Sequence, residues 1–193
     1  MADKIDVMTA GKNGSVRDIG LALARAVFCE GVILFASFAM LLGYQRNGLM
    51  KGMGKVVEWS VRDETLHVDG LSRLFRAYCD EHPRIVTDAL KKEIYEDIAR
   101  RVVHVEDRFI DLAYEGGAPI DLEKEDVKRY VRYIADRRLL QLGLKNIFRV
   151  KENPLPWLEW LLNGADHTNF FENRVTEYEV AGMSGSWGWD KLG

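Results

Sequence analysis

The chain has 193 residues, which fits one domain but gives a helical bundle fragment little material with which to close its own core. Charged residues make up 30% and hydrophobic residues 47%, the balance of a soluble globular protein. The formal net charge of -3 gives no electrostatic case for nucleic acid, although small nucleotides remain possible substrates. With two cysteines and no charged-then-apolar signal segment, we expect a cytoplasmic location.

The first half of the chain predicts a leader followed by a long apolar helix. Residues 1–16 are polar and contain a Gly-Lys-Asn-Gly turn signal, so we predict a flexible leader there. The helix is predicted from about Arg17 to Tyr44. Its apolar run is long enough for a membrane span, but Arg25 and Glu30 interrupt it. A helix buried on most sides within a bundle explains the run better, and no membrane partner is expected.

Apolar stripes and helix-ending residues predict four more helices. The first runs from about Lys51 to Cys79, and the second carries the stripe Ile85 to Leu112. The third spans about Leu122 to Leu142, with Gly143 as its cap, and the short fourth spans Trp157 to Leu162. No alternation typical of strands and no repeat of fixed period occurs. The predicted fold class is therefore all-α.

Three side chains on the first two helices are candidate metal ligands. Glu30 lies among apolar residues, and Glu64 and His67 are three residues apart, so these two project from one helix face. Two metal ions in a helical bundle are held by two lone Glu residues and two Glu-x-x-His pairs, with one contribution from each of four helices. This chain offers one of each. The pattern predicts half of a di-metal site, with the remaining ligands on another polypeptide.

The pattern alone also permits a site without metal. A carboxylate among apolar residues is costly unless a cation or hydrogen-bond donors meet it. Arg25 or Arg62 could supply that charge to Glu30 as a buried ion pair. At this point the metal site and the ion pair explain the residues equally well.

A series of motifs in order resembles the small subunit of class I ribonucleotide reductase, from about Leu21 to Tyr178. These are Glu30 with its 34-residue interval to Glu64, Arg62-Asp63-Glu64-x-x-His67, the run Tyr130 to Arg138, Asn153-Pro154-x-Pro156-Trp157 and Asn169-Phe170-Phe171-Glu172. The resemblance is to the C-terminal part of that family only. It implies a ferritin-like helical bundle that is incomplete and is completed by an N-terminal partner chain.

The resemblance also implies roles for individual residues. Glu30, Glu64 and His67 correspond to ligands of a dinuclear Fe/Fe or Mn/Fe centre, whose other ligands lie in an earlier segment of the family. Asp63 corresponds to an aspartate that holds a histidine ligand from that segment and links it to the electron path. Tyr178 corresponds to a tail tyrosine that relays an electron hole, a role suited to a phenol that can lose a proton together with an electron.

The implied function is that of a C-terminal fragment of the small subunit of ribonucleoside-diphosphate reductase. Its metals react with oxygen or a related oxidant and store a one-electron oxidant for the reduction of ribonucleotides. Residues 17–165 would carry half of the di-metal site and residues 166–193 would dock on the large subunit. The implied partners are an N-terminal half of the small subunit, the large subunit and a second small subunit. Two alternatives are a non-enzymatic assembly or regulatory module that docks on the large subunit, and half of another ferritin-like di-metal oxidase.

Overall fold

A computed structural model describes residues 14–117, 119 and 121–164, and every regular element within them is helical, as predicted. A 3-10 turn at Pro83–Ile85 follows the third helix, and a π-helical turn at Ile94–Arg100 joins the fourth to the fifth. The α-helices are α1 (Val16–Gly31), α2 (Phe35–Arg46), α3 (Lys51–Glu81), α4 (Asp88–Glu93), α5 (Arg101–Glu115), α6 (Lys124–Gln141) and α7 (Pro156–Gly164).

The start of α1 is fixed by a reciprocal cap. The hydroxyl of Ser15 accepts a hydrogen bond from the Asp18 backbone N–H, and the Asp18 carboxylate accepts one from the Ser15 backbone N–H. This arrangement satisfies two N–H groups that the first turn of a helix leaves without partners. The leader predicted at 1–16 therefore gives way to helix at Val16, and residues 1–13 lie outside the described ranges.

The prediction of one continuous first helix is wrong, because the helix is interrupted just after Glu30. α1 ends at Gly31, and Val32 leaves the helical conformation with φ -135° and ψ -47°. The N–H of Phe35 then donates to the carbonyl of Val32, three residues back, and α2 begins. Sequence periodicity gave no sign of this break, because apolar residues continue through it on all sides.

The apolar stretch from Val16 to Arg46 is long and hydrophobic enough to cross a membrane by those two measures alone. However, 67% of its most apolar window is buried inside the protein. This burial favours the predicted core helix, since helices in the middle of a bundle are apolar all round.

The paired helices α1 and α2 run antiparallel to α3. At one end of α3 the Tyr78 hydroxyl donates to the Val16 carbonyl, and near the other end Gln45 donates to the Glu58 carboxylate. α6 packs against α1, α2 and α5, so the core lies between these helices. Its largest fully buried apolar side chains are Phe28, Leu42, Leu90, Ile94, Ile98, Ile110, Leu139 and Leu158.

The later helices follow their predicted positions with one change. The long helix expected over the stripe Ile85 to Leu112 is divided by the π-helical turn, in which Ile94, Ile98 and Ala99 remain buried. Gly143 ends α6 with φ +77°, a left-handed conformation that glycine adopts without strain, so the predicted cap is confirmed.

Asp136 anchors the segment that follows α6. Its carboxylate is 3% exposed and accepts hydrogen bonds from the backbone N–H groups of Ile147, Phe148 and Val150, at 2.9, 2.9 and 3.2 Å. A charged acceptor that satisfies several backbone donors strongly favours one loop conformation. This single side chain therefore holds the connection to α7 in place.

We predict that Asp136→Asn lowers the free energy of unfolding by about 3 kcal/mol, because the amide keeps the shape but loses the charge and acceptor capacity that hold three N–H groups. Chemical denaturation of the full chain measures this change. Asp69→Asn is the control, since Asp69 forms an exposed ion pair with Arg73 and should cost no more than about 1 kcal/mol. Equal losses in the two variants would contradict the anchoring role.

Candidate metal centre

The fold brings the three predicted ligands together. Glu30 lies in the last turn of α1, and Glu64 and His67 lie in the middle of α3. One ligand atom from each residue can be chosen so that all three lie within 4.8 Å of one another. The Nδ1 atom of His67 is 3.5 Å from a Glu30 carboxylate oxygen and 3.6 Å from a Glu64 carboxylate oxygen. The spacing of Glu64 and His67 was readable in the sequence, whereas their approach to Glu30 depends on how α1 crosses α3.

The structure gives Glu30 a different neighbour from the two arginines considered as its partners. Its carboxylate lies beside His67, which is charged only when protonated. A histidine and two carboxylates within one cluster are a mixed nitrogen and oxygen donor set, which suits iron and manganese. The arrangement therefore favours the metal site over the ion pair with Arg25 or Arg62.

The site is more open than the apolar sequence around it suggested. The side chains of Glu30, Glu64 and His67 are 39%, 21% and 60% exposed. The two acids that the sequence places among apolar residues are thus only partly buried in this chain taken alone. Periodicity shows that a face is apolar, but it cannot show whether the same chain supplies the side chains that cover it.

One carboxylate oxygen of the cluster lacks a hydrogen-bond donor. The Oε2 atom of Glu30 is shielded from solvent and accepts no hydrogen bond among the residues that the structure describes; its 3.5 Å contact with Nδ1 of His67 is an ion pair only when that histidine is protonated. A carboxylate oxygen removed from water without a donor is costly, and a bound cation would remove that cost. The residues present therefore fit a metal ion at this position.

Cys29, next to Glu30, does not extend the ligand set. Burial raises the pKa of the Cys29 thiol to about 11; nearby Arg25 lowers it and Glu30 raises it further, both to a smaller extent. The thiol is therefore protonated at neutral pH, whereas metals bind the thiolate. Cys29 is therefore a buried thiol outside the candidate ligand set.

Gly31 helps to shape the site, and it was not among the site residues predicted from the sequence. A Cβ atom added to it would lie 3.0 Å from a Val68 methyl group and 2.5 Å from Nε of Arg138. Only glycine permits this approach of α1 to α3 and α6. The signal in the sequence was a glycine directly after a candidate ligand in an apolar helix.

Exposed apolar side chains lie along the same two helices as the cluster. We use the name open face for seven large apolar residues that are 37% to 65% exposed on α1, at the break and on α3: Val16, Ile19, Leu34, Val56, Trp59, Leu66 and Leu74. By helical spacing Val16 and Ile19 share the side of Glu30 on α1, and Val56 and Leu74 share the side of His67 on α3, with Trp59 and Leu66 on the adjoining side. Asp63 is also exposed on α3. Tyr178 lies outside the described residues.

The helices and the cluster together define a class: a helical bundle with carboxylate and histidine ligands on neighbouring helices. More narrowly, the chain belongs to the ribonucleotide reductase small chain family, whose model matches residues 1–154. That match includes the predicted leader, which the resemblance in the sequence did not cover.

Two curated relatives and one solved structure give the extent of the similarity. The chain is 44% identical over 180 residues to the probable ribonucleoside-diphosphate reductase small subunit of Invertebrate iridescent virus 3, covering 93% of this chain and 48% of that protein. It is 34% identical over 156 residues to ribonucleoside-diphosphate reductase subunit beta of Chlamydia pneumoniae, covering 81% and 44%. The chain thus spans about half the length of these relatives.

The solved structure of the ribonucleotide reductase R2 subunit from Clostridium botulinum superposes with a TM-score of 0.72 at 21% identity. The superposition covers 77% of this chain and 46% of that one. At this identity the comparison shows a shared fold, which confirms the ferritin-like helical architecture.

Proposed function

We propose that this chain is the C-terminal part of a ribonucleoside-diphosphate reductase small subunit and contributes half of a di-metal centre. An N-terminal partner chain would supply the other half of the bundle and the remaining ligands. The proposal is supported by two matches at about half the relatives' length and by a ligand cluster that contains one lone Glu and one Glu-x-x-His pair.

The main observation in support of the proposal is that the candidate ligands lie on the same sides of α1 and α3 as residues of the open face. An apolar stripe on two antiparallel helices is stabilising when other helices cover it, and it is a liability in water. Here the exposed ligands Glu30 and His67 lie along that stripe. Helices that covered it would bury the apolar residues and complete the ligand set in one step.

The chemistry assigned to this site follows the family. When bound, a dinuclear Fe/Fe or Mn/Fe centre supplies the one-electron oxidant used to reduce ribonucleotides to deoxyribonucleotides. Glu30, Glu64 and His67 would hold the metals, and Asp63, exposed on α3, would orient a ligand of the partner. Val57, which is buried two helical turns before Glu64 on the same side of α3, would help to exclude water from the centre.

The C-terminal segment is assigned the connection to the large subunit. Residues 166–193 would dock there, and Tyr178 would relay the electron hole between the two subunits. We place the assembly in the cytoplasm and expect the small subunit to be dimeric. Residues 17–165 form the part that carries the half-site, and they include all seven helices of the described ranges except the first residue of α1.

We predict that the isolated chain binds metal weakly and holds no radical, because it has three ligands for two metals. Co-expression with an N-terminal partner should give about two metals per complex and a stored oxidant, measured by metal analysis and paramagnetic resonance. Leu66→Glu on the open face should prevent complex formation, whereas Leu140→Glu, on an exposed position of α6, should not.

A tight two-metal site in the isolated chain would contradict this division of the centre. Complex formation without metal uptake would instead favour the non-enzymatic assembly module. Metal uptake with oxidase activity but no nucleotide reduction would favour a different di-metal oxidase.

We also predict that Tyr178→Phe leaves metal content and large-subunit affinity unchanged but abolishes ribonucleotide reduction by the reconstituted complex. Phenylalanine keeps the ring but lacks the phenol proton that must leave with the electron. Tyr133→Phe on α6 is the control and should retain turnover, although it removes the hydroxyl that lies 3.4 Å from Glu159. Substantial turnover by Tyr178→Phe would remove Tyr178 from the path.

A further inference from the structure

A buried arginine on α6 contacts the break that follows Glu30. Arg138 is 6% exposed, and its Nε donates to the Gly31 carbonyl at 3.0 Å. A second guanidinium nitrogen donates to the Gln141 side chain at 3.0 Å, and the guanidinium lies over the ring of Phe35, 5.2 Å from its centroid. Arg138 therefore touches the last residue of α1 and the first residue of α2.

The hydrogen bonds of the break explain why a donor is needed there. In a continuous helix the N–H of Phe35 would donate to the carbonyl of Gly31, four residues back. Here it donates to Val32 instead, at 3.0 Å. The Gly31 carbonyl is thus released from the helical pattern inside the core, and Arg138 supplies its donor. A buried carbonyl without a donor would destabilise this conformation.

Burial of a charged residue at this position has a large desolvation cost. Burial lowers the pKa of Arg138 to about 10, so the guanidinium is still charged at neutral pH. Its contacts among the described residues are a backbone carbonyl, an amide oxygen and an aromatic ring. Methionine or leucine would fill the same space without this desolvation cost. Packing alone does not account for arginine here, whereas the released carbonyl does.

The conformation of the break sets the direction of Glu30. Glu30 is bonded directly to Gly31, so the end of α1 determines where its carboxylate points. The absence of a Cβ at Gly31 lets Arg138 and Val68 approach from two sides, within 2.5 and 3.0 Å of where that atom would lie. Small changes in this backbone would move the Glu30 carboxylate away from its 3.5 Å approach to His67.

We propose that Arg138 is a positioning residue for the metal centre: by bonding the Gly31 carbonyl it fixes the break between α1 and α2 and aims Glu30 at Glu64 and His67. Its effect on metal binding rests on the proposed function. Its effect on the backbone of the break does not depend on metal.

The test uses the full chain and two independent measurements. Hydrogen exchange of the metal-free chain reports the stability of residues 31–35. The paramagnetic resonance signal of free Mn²⁺ reports the Mn²⁺ affinity of the complex with the proposed N-terminal partner, because the chain alone is expected to bind metal weakly. The variants are Arg138→Met, which removes the donors, and Arg138→Lys, which keeps one charge and a single donor group. Arg137→Met is the matched control, because Arg137 is an exposed neighbour whose contacts are with Tyr133. Circular dichroism checks that each variant is folded.

We expect Arg138→Met to accelerate exchange at residues 31–35 and to weaken Mn²⁺ binding by about 10- to 100-fold, the range seen when groups that orient metal ligands are removed. Arg138→Lys should fall between Arg138→Met and the unchanged chain, and Arg137→Met should match the unchanged chain. In a Glu30→Ala background, Arg138→Met should weaken Mn²⁺ binding no further, because the residue it acts through is gone.

Three results would overturn the proposal: unchanged exchange at residues 31–35 in Arg138→Met, unchanged Mn²⁺ affinity in that variant, or an equal loss of affinity in the Glu30→Ala background. If Arg138→Met is unfolded, Arg138→Lys decides by the same two measurements. If the complex formed by the unchanged chain shows no Mn²⁺ binding that depends on Glu64 and His67, the proposed metal function fails. The exchange measurement then still decides whether Arg138 fixes the break.

Discussion

The close crossing of α1 and α3 at Gly31 is the contact on which the candidate metal centre depends. Glu30 and the Glu64 and His67 pair are on different helices, and no local rule brings them together. They meet because Gly31 has no Cβ atom and allows Val68 of α3 and Arg138 of α6 to pack against the end of α1. A larger residue there would require the Arg138 and Val68 side chains to shift, and this would disturb the packing that sets the distances within the cluster.

The same crossing explains how an apolar core and a polar site coexist on the same helices. One face of each of α1 and α3 packs in the core of this chain. Another face of each helix bears the candidate ligands and the exposed apolar residues of the open face. Val27 and Phe28 on α1 and Val61 and Val68 on α3 are buried, whereas Leu66 and His67 are exposed. The hydrophobic effect thus holds the candidate ligands in place from one side and leaves the other side exposed, where we propose that a partner chain docks.

Much of this could be predicted from the sequence, because helix periodicity and helix-ending residues are local signals. The positions of α3, α6 and α7, the Gly143 cap and the shared face of Glu64 and His67 all follow from spacing. The break after Glu30 and the π-helical turn at Ile94–Arg100 did not, because in both the helical spacing of apolar residues continues and no proline interrupts it. They arise from packing between distant segments.

The exposure of the ligands was also beyond the sequence, and for a related reason. A stripe such as Val57, Val61, Glu64 and Val68 shows which residues share a side of a helix, but burial depends on what covers that side. The contact of Arg138 could not be predicted from the sequence either, because Arg138 is 107 residues from the carbonyl to which it donates. The segment Tyr130 to Arg138 resembles a family motif, but that resemblance did not indicate this contact. Family membership suggests the chemistry proposed for these residues, and the three-dimensional contacts show how they come to lie together.

The most direct test of a metal centre at Glu30, Glu64 and His67 is anomalous X-ray diffraction from crystals of the chain in complex with its proposed N-terminal partner, grown with Mn²⁺. The account predicts an anomalous peak about 2 Å from a carboxylate oxygen of Glu30, a carboxylate oxygen of Glu64 and a ring nitrogen of His67. Mn²⁺ bound elsewhere in the chain, with no peak among these three side chains, would contradict it.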